Sequence, residues 1–561
     1  MPELSLVHGA TEPPLRTETI GRCLEHAATH WPDQEAVVSV HQGIRITYEQ
    51  LNSQADHIAA GLLALGLERG DRVGIWSPNK AEWALIQFAT AKAGMILVNI
   101  NPAYRVSELE YTLNKVQIRA LVAAQRFKTS DYVAMVEQLL PEVAVHEGML
   151  TAAAAPHLRH VIKIGGAPRP GWRLFDELAT LGGAAEREQV RRIGGELSCH
   201  DPINIQFTSG TTGLPKGATL SHHNILNNGF FVGECVGLRQ GDRLCIPVPL
   251  YHCFGMVMGN LGCLTHGAAM VYPSDAFDPL SVLRTIQDER CVGVYGVPTM
   301  FIAELTHPEF KNFDLSSLRT GCMAGSPCPV DVMKQVLGAM HMRDVTIAYG
   351  MTETSPVSFQ SAANDDLETR VSTIGRVQPH LQCKVIDGEG NTVPRGCPGE
   401  LCTKGYSVML GYWDDDEKTG EAIDADGWMH TGDLVVIDER GYGNVVGRLK
   451  DMVIRGGENI YPREIEEFLY GHPAVRDVAV VGVPDEKFGE EICAWITLAD
   501  GHTATEDEIR AYCEGRIAHY KVPRYVRFVA EFPLTVTGKV RKFEIRDRMI
   551  EELHLTVRKT A

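Results

Sequence analysis

The chain has 561 residues, more than the roughly 250–300 at which a single hydrophobic core stops growing, so we expect at least two domains. Its composition, with 44% hydrophobic and 22% charged residues, is that of an ordinary soluble globular enzyme. A formal net charge of −18 argues against a nucleic-acid partner, which would require a basic surface.

The cysteines and the apolar segments indicate the cellular compartment of the protein. The 14 cysteines include no C-x-x-C pair, and there is no H-E-x-x-H zinc motif, so we expect reduced, buried thiols. Residues 1–22 lack a basic segment followed by an apolar one, which argues against a secretory signal. No apolar run approaches the roughly 18 residues of a membrane span. We therefore expect a soluble, cytoplasmic protein.

From about residue 20 to 200, segments with helical periodicity alternate with short apolar runs. Helices that alternate with strands predict an open α/β sheet, and the same alternation resumes from Asn224 to about Tyr349. The clearest predicted elements are the helix Tyr48–Leu65, the strand Arg72–Trp76, the helix Ala81–Ala93 and the strand Met95–Val98.

The last third of the chain has a different pattern of predicted secondary structure. Ser372–Gly447 consists of short β-like runs between turn sequences, which predicts a small, mostly antiparallel β subdomain. A compact α+β unit follows. Within it, Arg516–Arg548 carries nine positive and three negative side chains, which suits either a phosphate-facing surface or a solvated basic face. Its predicted elements are the helix Ile465–Tyr470, the strands Val478–Val481 and Ile492–Leu498, and the helix Glu506–Ile517.

The segment Thr208–Gly217 carries the strongest chemical signal. Its three glycines allow backbone amides to turn toward an anion, and four hydroxyls and one lysine add further donors, as a polyphosphate requires. It is not a Walker A loop, because Lys216 precedes a glycine and no Ser or Thr follows it directly. Alone, the segment also fits a flexible surface loop.

This segment resembles the signature of the adenylate-forming superfamily, which comprises acyl-CoA synthetases, adenylation domains of peptide synthetases and beetle luciferases. The resemblance extends in order along nearly the whole chain. Four further motifs carry it: Tyr349–Glu353, Thr431–Asp433, Gly447–Asp451 and Pro533–Lys539. The stretch from Gly456 to Cys493 is most similar to medium- and long-chain fatty acyl-CoA synthetases of the acyl-CoA synthetase family member 2 type.

The resemblance implies an α/β protein with the adenylate-forming, luciferase-like fold. Residues 1–447 would form a large N-terminal domain of α/β subdomains and a small β subdomain, which binds ATP and the acid. Residues 448–452 would form a hinge around Lys450. Residues 453–561 would form a mobile α+β cap that carries the catalytic lysine and rotates between two half-reactions.

The resemblance also assigns roles around ATP. Ionised Asp433 would accept both ribose hydroxyls, and Arg448 would add a rigid second contact. Glu353 and Thr211 would bind Mg²⁺, and Tyr349 would stack on adenine, although an aromatic residue beside a glycine also fits a core position. The expected ATP-binding residues are Thr208, Ser209, Gly210, Thr211, Thr212, Gly213, Leu214, Pro215, Lys216, Gly325, Ser326, Pro327, Tyr349, Gly350, Met351, Thr352, Asp433, Arg448 and Lys539.

Catalysis is expected to depend on Lys539, with contributions from His252 and Glu353. A lysine between the attacking carboxylate and the α-phosphate would offset their repulsion, although Lys539 also fits a solvated turn and His252 a core position. Gly456 and Gly457 would line the coenzyme A tunnel. The acyl pocket is expected to contain Phe254, Met256, Val297 and Met323. The stretches that hold them contain no Lys or Arg to pair a second carboxylate and no acidic residue to pair an amine: Tyr251–Met258, Val297–Phe301 and Cys322–Pro327.

The predicted function is that of an ATP-dependent acid–CoA ligase, which forms acyl-AMP and then acyl-CoA from medium- to long-chain fatty acids with ATP, Mg²⁺ and coenzyme A. A short, branched, aryl or sulfur-containing acid remains open. So do a luciferase-like oxygenase and a carrier-protein-loading adenylation enzyme, although no carrier domain follows Ala561. A non-catalytic nucleotide-binding protein is disfavoured by the intact Lys539, Glu353 and Asp433. A homodimer and a peripheral membrane contact are both open.

Overall fold

The computed structural model describes residues 3–145, 148–208, 215–325, 328, 330–455, 458–485, 487–534 and 539–555. Contacts between residues divide the chain into two compact units. The larger comprises Val7–Cys383 and Thr403–His430, and the smaller comprises Met1–Leu6, Lys384–Cys402 and Thr431–Ala561. These limits differ from the predicted boundary at residues 448–452, so the hinge stays a prediction.

Two large sheets organise the larger unit. The first has eight strands in the spatial order Arg173–Leu174, His160–Lys163, Ile118–Ala123, Arg72–Trp76, Ile96–Asn99, Pro202–Thr208, Lys216–Ser221 and Gly411–Tyr412. The second has nine strands in the order Arg376–Val377, Val357–Gln360, Asp344–Gly350, Thr320–Ala324, Gly293–Gly296, Arg243–Cys245, Ala269–Tyr272, Glu35–Ser39 and Ile44–Thr47. A short hairpin of Arg126–Phe127 and Ser130–Asp131 lies apart.

Helices follow the strands as the sequence predicts. The α-helices of this unit are Ile20–His30, Tyr48–Ala64, Ala81–Ala93, Val106–Lys115, Tyr132–Leu139, Leu178–Leu181, Ala184–Glu196, His222–Cys235, Gly262–His266, Pro279–Glu289, Pro298–Leu305, Val330–Ala339, Leu367–Ser372 and Asp416–Ala422. A π-helix spans Phe254–Leu261, and 3-10 turns span Val40–Gln42, Pro141–Ala144, Phe175–Glu177, Phe310–Asn312 and Thr352–Thr354. The predicted α/β architecture is confirmed.

Local sequence explains where these helices begin and what they cover. The helix Tyr48–Ala64 begins with a capping box, in which the Thr47 hydroxyl accepts from the Gln50 amide and the Gln50 side chain accepts from the Thr47 amide. The helix Ala81–Ala93 is apolar on nearly all faces, and almost every one of its residues is buried. Both helices therefore pack into the main hydrophobic core beneath the sheets.

Two further five-stranded sheets contain the strands of the smaller unit. One has the order Leu6–His8, Leu381–Ile386, Gly399–Gly405, Met429–Ile437 and Gly443–Arg448. The other has the order Glu458–Ile460, Val453–Arg455, Gly489–Leu498 and Val475–Asp485, with Tyr525–Phe528 parallel to Gly489–Leu498. The helices are Pro462–Tyr470, Glu506–Cys513 and Lys542–Glu552, and 3-10 turns span Leu449–Asp451 and His519–Lys521.

The turn-rich segment before residue 447 is only partly the β subdomain that its sequence predicts. Four of its strands lie together in one five-stranded sheet: Leu381–Ile386, Gly399–Gly405, Met429–Ile437 and Gly443–Arg448. However, Arg376–Val377 joins the nine-stranded sheet, Gly411–Tyr412 joins the eight-stranded sheet, and Asp416–Ala422 is helical. Among the residues that the structure describes, no helix is long and apolar enough to cross a membrane.

Candidate active site

A β-hairpin presents the predicted phosphate-binding loop. Pro202–Thr208 and Lys216–Ser221 are antiparallel, with Thr208 opposite Lys216, so the loop begins and ends at the same edge of the sheet. The Tyr111 hydroxyl donates to the Pro215 carbonyl at 2.9 Å and fixes the end of the loop. The predicted residues Ser209, Gly210, Thr211, Thr212, Gly213 and Leu214 lie outside the described residues.

Glu353 lies beside this hairpin and accepts two hydroxyl hydrogen bonds. Its Oε1 accepts from Thr208 Oγ1 at 3.0 Å and from the Tyr412 hydroxyl at 2.9 Å. The carboxylate is buried, with 5% of the residue exposed. Tyr412 reaches it because the strand Gly411–Tyr412 pairs with Lys216–Ser221. Three segments far apart in sequence therefore meet at one carboxylate.

Tyr412 was not among the predicted site residues. Burial raises the pKa of its hydroxyl, and the charge of Glu353 raises it further, so the hydroxyl remains a proton donor at neutral pH. The Lys216 ammonium lies 4.2 Å from the centre of its ring, a cation–π contact. In the sequence, Tyr412 is an aromatic residue in a turn-rich segment. That pattern does not predict its contact with Glu353.

The predicted adenine motif follows the strand Asp344–Gly350. Tyr349 is half-buried, and its ring meets Phe359 edge-on at 6.5 Å, so one neighbour of the ring is already fixed. Gly350 must be glycine, because a Cβ there would lie 1.7 Å from the Pro356 carbonyl oxygen. Met351 and Thr352 are half-buried and lead into the turn that carries Glu353.

A second predicted nucleotide segment follows the neighbouring strand Thr320–Ala324. Gly325 has φ +91°, a conformation that side chains rarely adopt, which explains glycine at this position. Ser326 and Pro327 lie outside the described residues. Because Thr320–Ala324 is parallel to Asp344–Gly350, with Ala324 opposite Ala348, Gly325 and Tyr349 lie at the same end of these two neighbouring strands.

Asp433 and Arg448, predicted separately as ribose contacts, form an ion pair in the smaller unit. They are opposite each other on the antiparallel strands Met429–Ile437 and Gly443–Arg448, and Arg448 Nε lies 2.7 Å from Asp433 Oδ1. The Asp433 side chain is 6% exposed and that of Arg448 48% exposed. The guanidinium therefore orients a buried carboxylate from its solvent side.

The predicted catalytic lysine, hinge and coenzyme A residues also belong to the smaller unit. Lys539 is exposed and directly precedes Val540, which bridges to Leu534. Lys450 is exposed in the turn Leu449–Asp451. Gly456 and Gly457 lie outside the described residues, between the antiparallel strands Val453–Arg455 and Glu458–Ile460.

His252 begins the segment predicted to meet the acid. Its ring is 4.0 Å from that of Tyr251, and its carbonyl accepts from the amides of Gly255 and Met256, both at 3.0 Å. These bonds form the turn that leads into the π-helix Phe254–Leu261. Short π-helical segments are frequent at functional sites. Gln206, from the hairpin strand, donates to the Met256 sulfur at 3.4 Å.

The four predicted acyl-pocket residues do not all share one environment. Phe254 and Met256 belong to the main hydrophobic cluster, and the Phe254 ring is 5.5 Å from that of Tyr295. Met323 lies in a different cluster, because its strand neighbours Cys322 and Ala324 point to the main cluster and side chains alternate along a strand. Val297 is half-buried before the helix Pro298–Leu305.

Two family models match the chain. The model described as AMP-binding enzyme matches residues 24–413, and the model of the AMP-binding enzyme C-terminal domain matches residues 464–539. The chain belongs to the AMP-binding enzyme family. In this AMP-binding enzyme, Thr208, Glu353 and Tyr412 fall within the first match, Lys539 ends the second, and Asp433 and Arg448 lie between them.

Relatives of this AMP-binding enzyme are similar over nearly their full length. Medium-chain acyl-CoA ligase ACSF2, mitochondrial, of Danio rerio is 48% identical over 555 residues, which cover 98% of this chain and 91% of that protein. The Homo sapiens protein of the same name is 46% identical over 559 residues, with the same coverage. A crystal structure of the anthranilate CoA ligase AuaEII in complex with anthranoyl-AMP has a TM-score of 0.83 at 27% identity, covering 97% of this chain and 99% of that one.

Proposed function

We propose that this ATP-dependent acid–CoA ligase takes a medium-chain fatty acid as its substrate. The observation that carries the proposal is the near full-length similarity to proteins named medium-chain acyl-CoA ligases. The apolar surroundings of Phe254 and Met256 support an acid with a hydrocarbon tail. The acyl-adenylate in a similar solved structure supports an adenylate as the intermediate.

Two half-reactions follow from this proposal. The acid carboxylate attacks the α-phosphorus of ATP, an O–P bond forms and pyrophosphate leaves. The sulfur of coenzyme A then attacks the acyl carbon, AMP leaves and the thiol proton passes to solvent or to a group near the site. Lys539 would stabilise the charge that builds on the α-phosphate during the first attack, a contribution of about 2.7–4 kcal/mol in comparable sites.

Glu353 fits the role of a Mg²⁺ ligand. Among the described residues, the side-chain partners of its carboxylate are the hydroxyls of Thr208 and Tyr412, and neither neutralises the charge of the carboxylate. Magnesium prefers one or two carboxylates together with phosphate oxygens and water. This carboxylate accepts from Thr208, the first residue of the predicted phosphate-binding segment. Bound there, the ion would neutralise charge on the triphosphate.

The hydrophobic clusters support a pocket with further residues beside Phe254 and Met256. A tail that extends along Phe254 and Met256 would also approach Tyr295, Cys322 and Ala324, which belong to the same cluster. Met323 packs in the neighbouring cluster and would contact the tail only indirectly. Each methylene buried in such a channel contributes about 0.8 kcal/mol, so kcat/KM should rise roughly three- to fourfold per carbon until the channel ends.

A panel of straight-chain acids, measured by AMP release, tests the proposal. We expect activity that depends on both ATP and coenzyme A and peaks at about eight to twelve carbons, an estimate from the gain per methylene. Pyrophosphate should accompany AMP. A maximum at acetate or propionate, or selectivity for an aryl acid such as anthranilate, would reject the medium-chain substrate. ADP as the product would reject the adenylate chemistry.

Location and assembly remain proposals. The vertebrate relatives named above are mitochondrial by name, so the cytoplasmic location expected from the sequence is tested by cell fractionation. The homodimer and the peripheral membrane contact are tested by light scattering and by sedimentation with lipid vesicles.

A further inference from the structure

Three metal-ligating side chains meet at the open end of the hairpin Pro202–Ser221. Cys199 and His200 precede its first strand, and His223 follows its second strand in the helix His222–Cys235. One ligand atom from each residue lies within 4.8 Å of the others. Cys199 is buried, His223 half-buried and His200 exposed. Thr208 and Lys216, which flank the predicted phosphate loop in sequence, are at the opposite end of the hairpin, about 20 Å away for strands of this length.

We propose that Cys199, His200 and His223 bind a zinc ion, with water in the fourth position. A thiolate with two imidazoles is a ligand set that suits zinc rather than magnesium or calcium. In a tetrahedral zinc site the ligand atoms lie about 3.5 Å apart. A contraction of about 1 Å, which rotation of the exposed His200 side chain can provide, would therefore complete the geometry.

The backbone already holds the three residues together. The His223 amide donates to the Cys199 carbonyl at 2.7 Å, which fixes the start of the helix against the segment before the hairpin. The rings of His200 and His223 are 4.8 Å apart between their centres. Asp201 anchors the same segment through Arg69 at 2.7 Å and the Ser198 amide at 3.0 Å. Little backbone entropy therefore remains to be lost when an ion binds.

Hydrogen bonds on the far side of His223 leave one ring nitrogen available for a metal. Its Nδ1 lies 3.2 Å from the Arg16 carbonyl oxygen. Asn227 Nδ2, also 3.2 Å from Nδ1, directs its hydrogens to the Arg16 and His223 carbonyls at 3.0 and 2.9 Å. Nδ1 can therefore donate to Arg16, which leaves the lone pair on Nε2. Metal-binding histidines commonly donate their other N–H to a carbonyl in this way.

The charge balance of binding follows from the chemistry of the ligands. Zinc binds a thiolate and neutral imidazoles, so the Cys199 thiol would release its proton to solvent when the ion binds. The positive charge of the ion would then compensate the thiolate.

Such an ion would tie together the two chain segments that enter and leave the hairpin. The strand Pro202–Thr208 contributes Thr208 and Gln206 to the candidate active site, and Lys216–Ser221 carries Lys216. A zinc ion would thus restrain the scaffold of the nucleotide site without contacting substrates. This inference stands independently of which acid the enzyme activates.

The test uses full-length, tag-free, metal-free protein without nucleotide. Titration with Co²⁺ should give the charge-transfer absorption of a cobalt–thiolate bond at one equivalent, and Zn²⁺ should displace the cobalt. Cys199→Ser should abolish the absorption, and His200→Ala should weaken Zn²⁺ binding at least about tenfold. Cys397→Ser and His30→Ala, both at exposed positions, are the matched controls and should bind as the unmodified protein does.

Amide hydrogen exchange provides a second readout. Zn²⁺ should slow exchange in residues 202–208 and 216–221 of the unmodified protein and leave the Cys199→Ser protein unchanged. Three outcomes would each overturn the proposed site. They are a cobalt–thiolate absorption that persists in Cys199→Ser, a Zn²⁺ affinity of Cys199→Ser and His200→Ala equal to that of the unmodified protein, and the absence of stoichiometric binding. Binding without slower exchange would overturn the restraint of the hairpin.

Discussion

The Tyr412 hydroxyl donates to Glu353 Oε1 at 2.9 Å, across 59 residues of sequence. Thr208, the first residue of the predicted phosphate-binding segment, donates to the same oxygen at 3.0 Å. The carboxylate that we propose as a magnesium ligand is therefore oriented by the hairpin on one side and by a separate short strand on the other.

Replacing Tyr412 with phenylalanine removes one of these two bonds and leaves the ring beside Lys216. A hydrogen bond to a charged group contributes about 1.5–3 kcal/mol, so we expect the adenylation rate to fall about ten- to a hundredfold. The Mg²⁺ concentration for half-maximal rate should rise as well. Pyrophosphate exchange at varied Mg²⁺ measures both. Tyr272→Phe, which removes a buried hydroxyl bonded to Asn260, should leave the Mg²⁺ dependence unchanged.

Asp433→Asn tests the ion pair in the predicted ribose site. The amide keeps the shape of the carboxylate but loses the charge that pairs with Arg448 and would accept from ribose. We expect KM for ATP to rise about ten- to a hundredfold, the effect of losing one charged hydrogen bond. Asp438→Asn on the same hairpin, where Asp438 pairs with exposed Arg440, is the control. Equal KM values for ATP in the two variants would show that Asp433 does not bind ATP.

Lys539 and Lys450 separate the two half-reactions. Lys539→Ala should slow adenylate formation about a hundred- to a thousandfold and leave preformed acyl-AMP convertible to thioester. Lys450→Pro should do the reverse, because proline fixes φ near −65° at the proposed hinge. Lys542→Ala, which removes an ion pair with Glu466, serves as the control. Loss of the same half-reaction in both test variants would contradict a rotating C-terminal domain.

Glu304 should make stability depend on pH. It is 1% exposed, its Oε2 has no hydrogen-bond partner among the described residues, and burial raises its pKa to about 8. The native state then holds a proton that an unfolded chain releases near pH 4.5, so the free energy of unfolding falls as pH rises from about 4.5 to 8.

Glu304→Gln should remove this dependence. Relative to the unmodified protein, the variant should gain stability between pH 5 and pH 9, by up to about 1.4 kcal/mol per unit of the shifted pKa. Urea unfolding at the two pH values measures the change. Glu289→Gln, which breaks contacts with Arg45 and Arg243, should lower stability at both pH values instead. Parallel pH profiles for Glu304→Gln and the unmodified protein would refute a buried neutral carboxyl.

Much of the fold could be predicted because local patterns determine it. The predicted helix Ala81–Ala93 and strand Arg72–Trp76 have those bounds in the structure, since apolar runs and a following Gly94 define them. The predicted helix Glu506–Ile517 ends at Cys513 instead. Glu514 there is extended, with ψ 131°, and its amide still bonds to Arg510. Ends of helices depend on such single residues, which periodicity does not resolve.

The site was predictable only as separate motifs. Glu353, Asp433 and Thr208 could be identified because the resemblance assigns them, but no local pattern indicates that Tyr412 contacts Glu353 or that Asp433 pairs with Arg448. Those contacts depend on the pairing of Gly411–Tyr412 with Lys216–Ser221 and on the register of the Asp433 hairpin. Strand pairing over such distances is a tertiary property. Met323 shows the same limit, since strand alternation places it in the other cluster.

The two-residue strand Gly411–Tyr412 also limits how this segment can change in length during evolution. Successive residues of a strand face opposite sides of the sheet, so one residue inserted or deleted just before Gly411 would turn the tyrosine away from Glu353. Gly411 itself has φ +143°, and a Cβ at this position would lie 2.9 Å from Thr419 Cγ2. A residue other than glycine is therefore unfavourable at position 411. Insertions should instead accumulate beyond the helix Asp416–Ala422, in the exposed turn at residues 425–426.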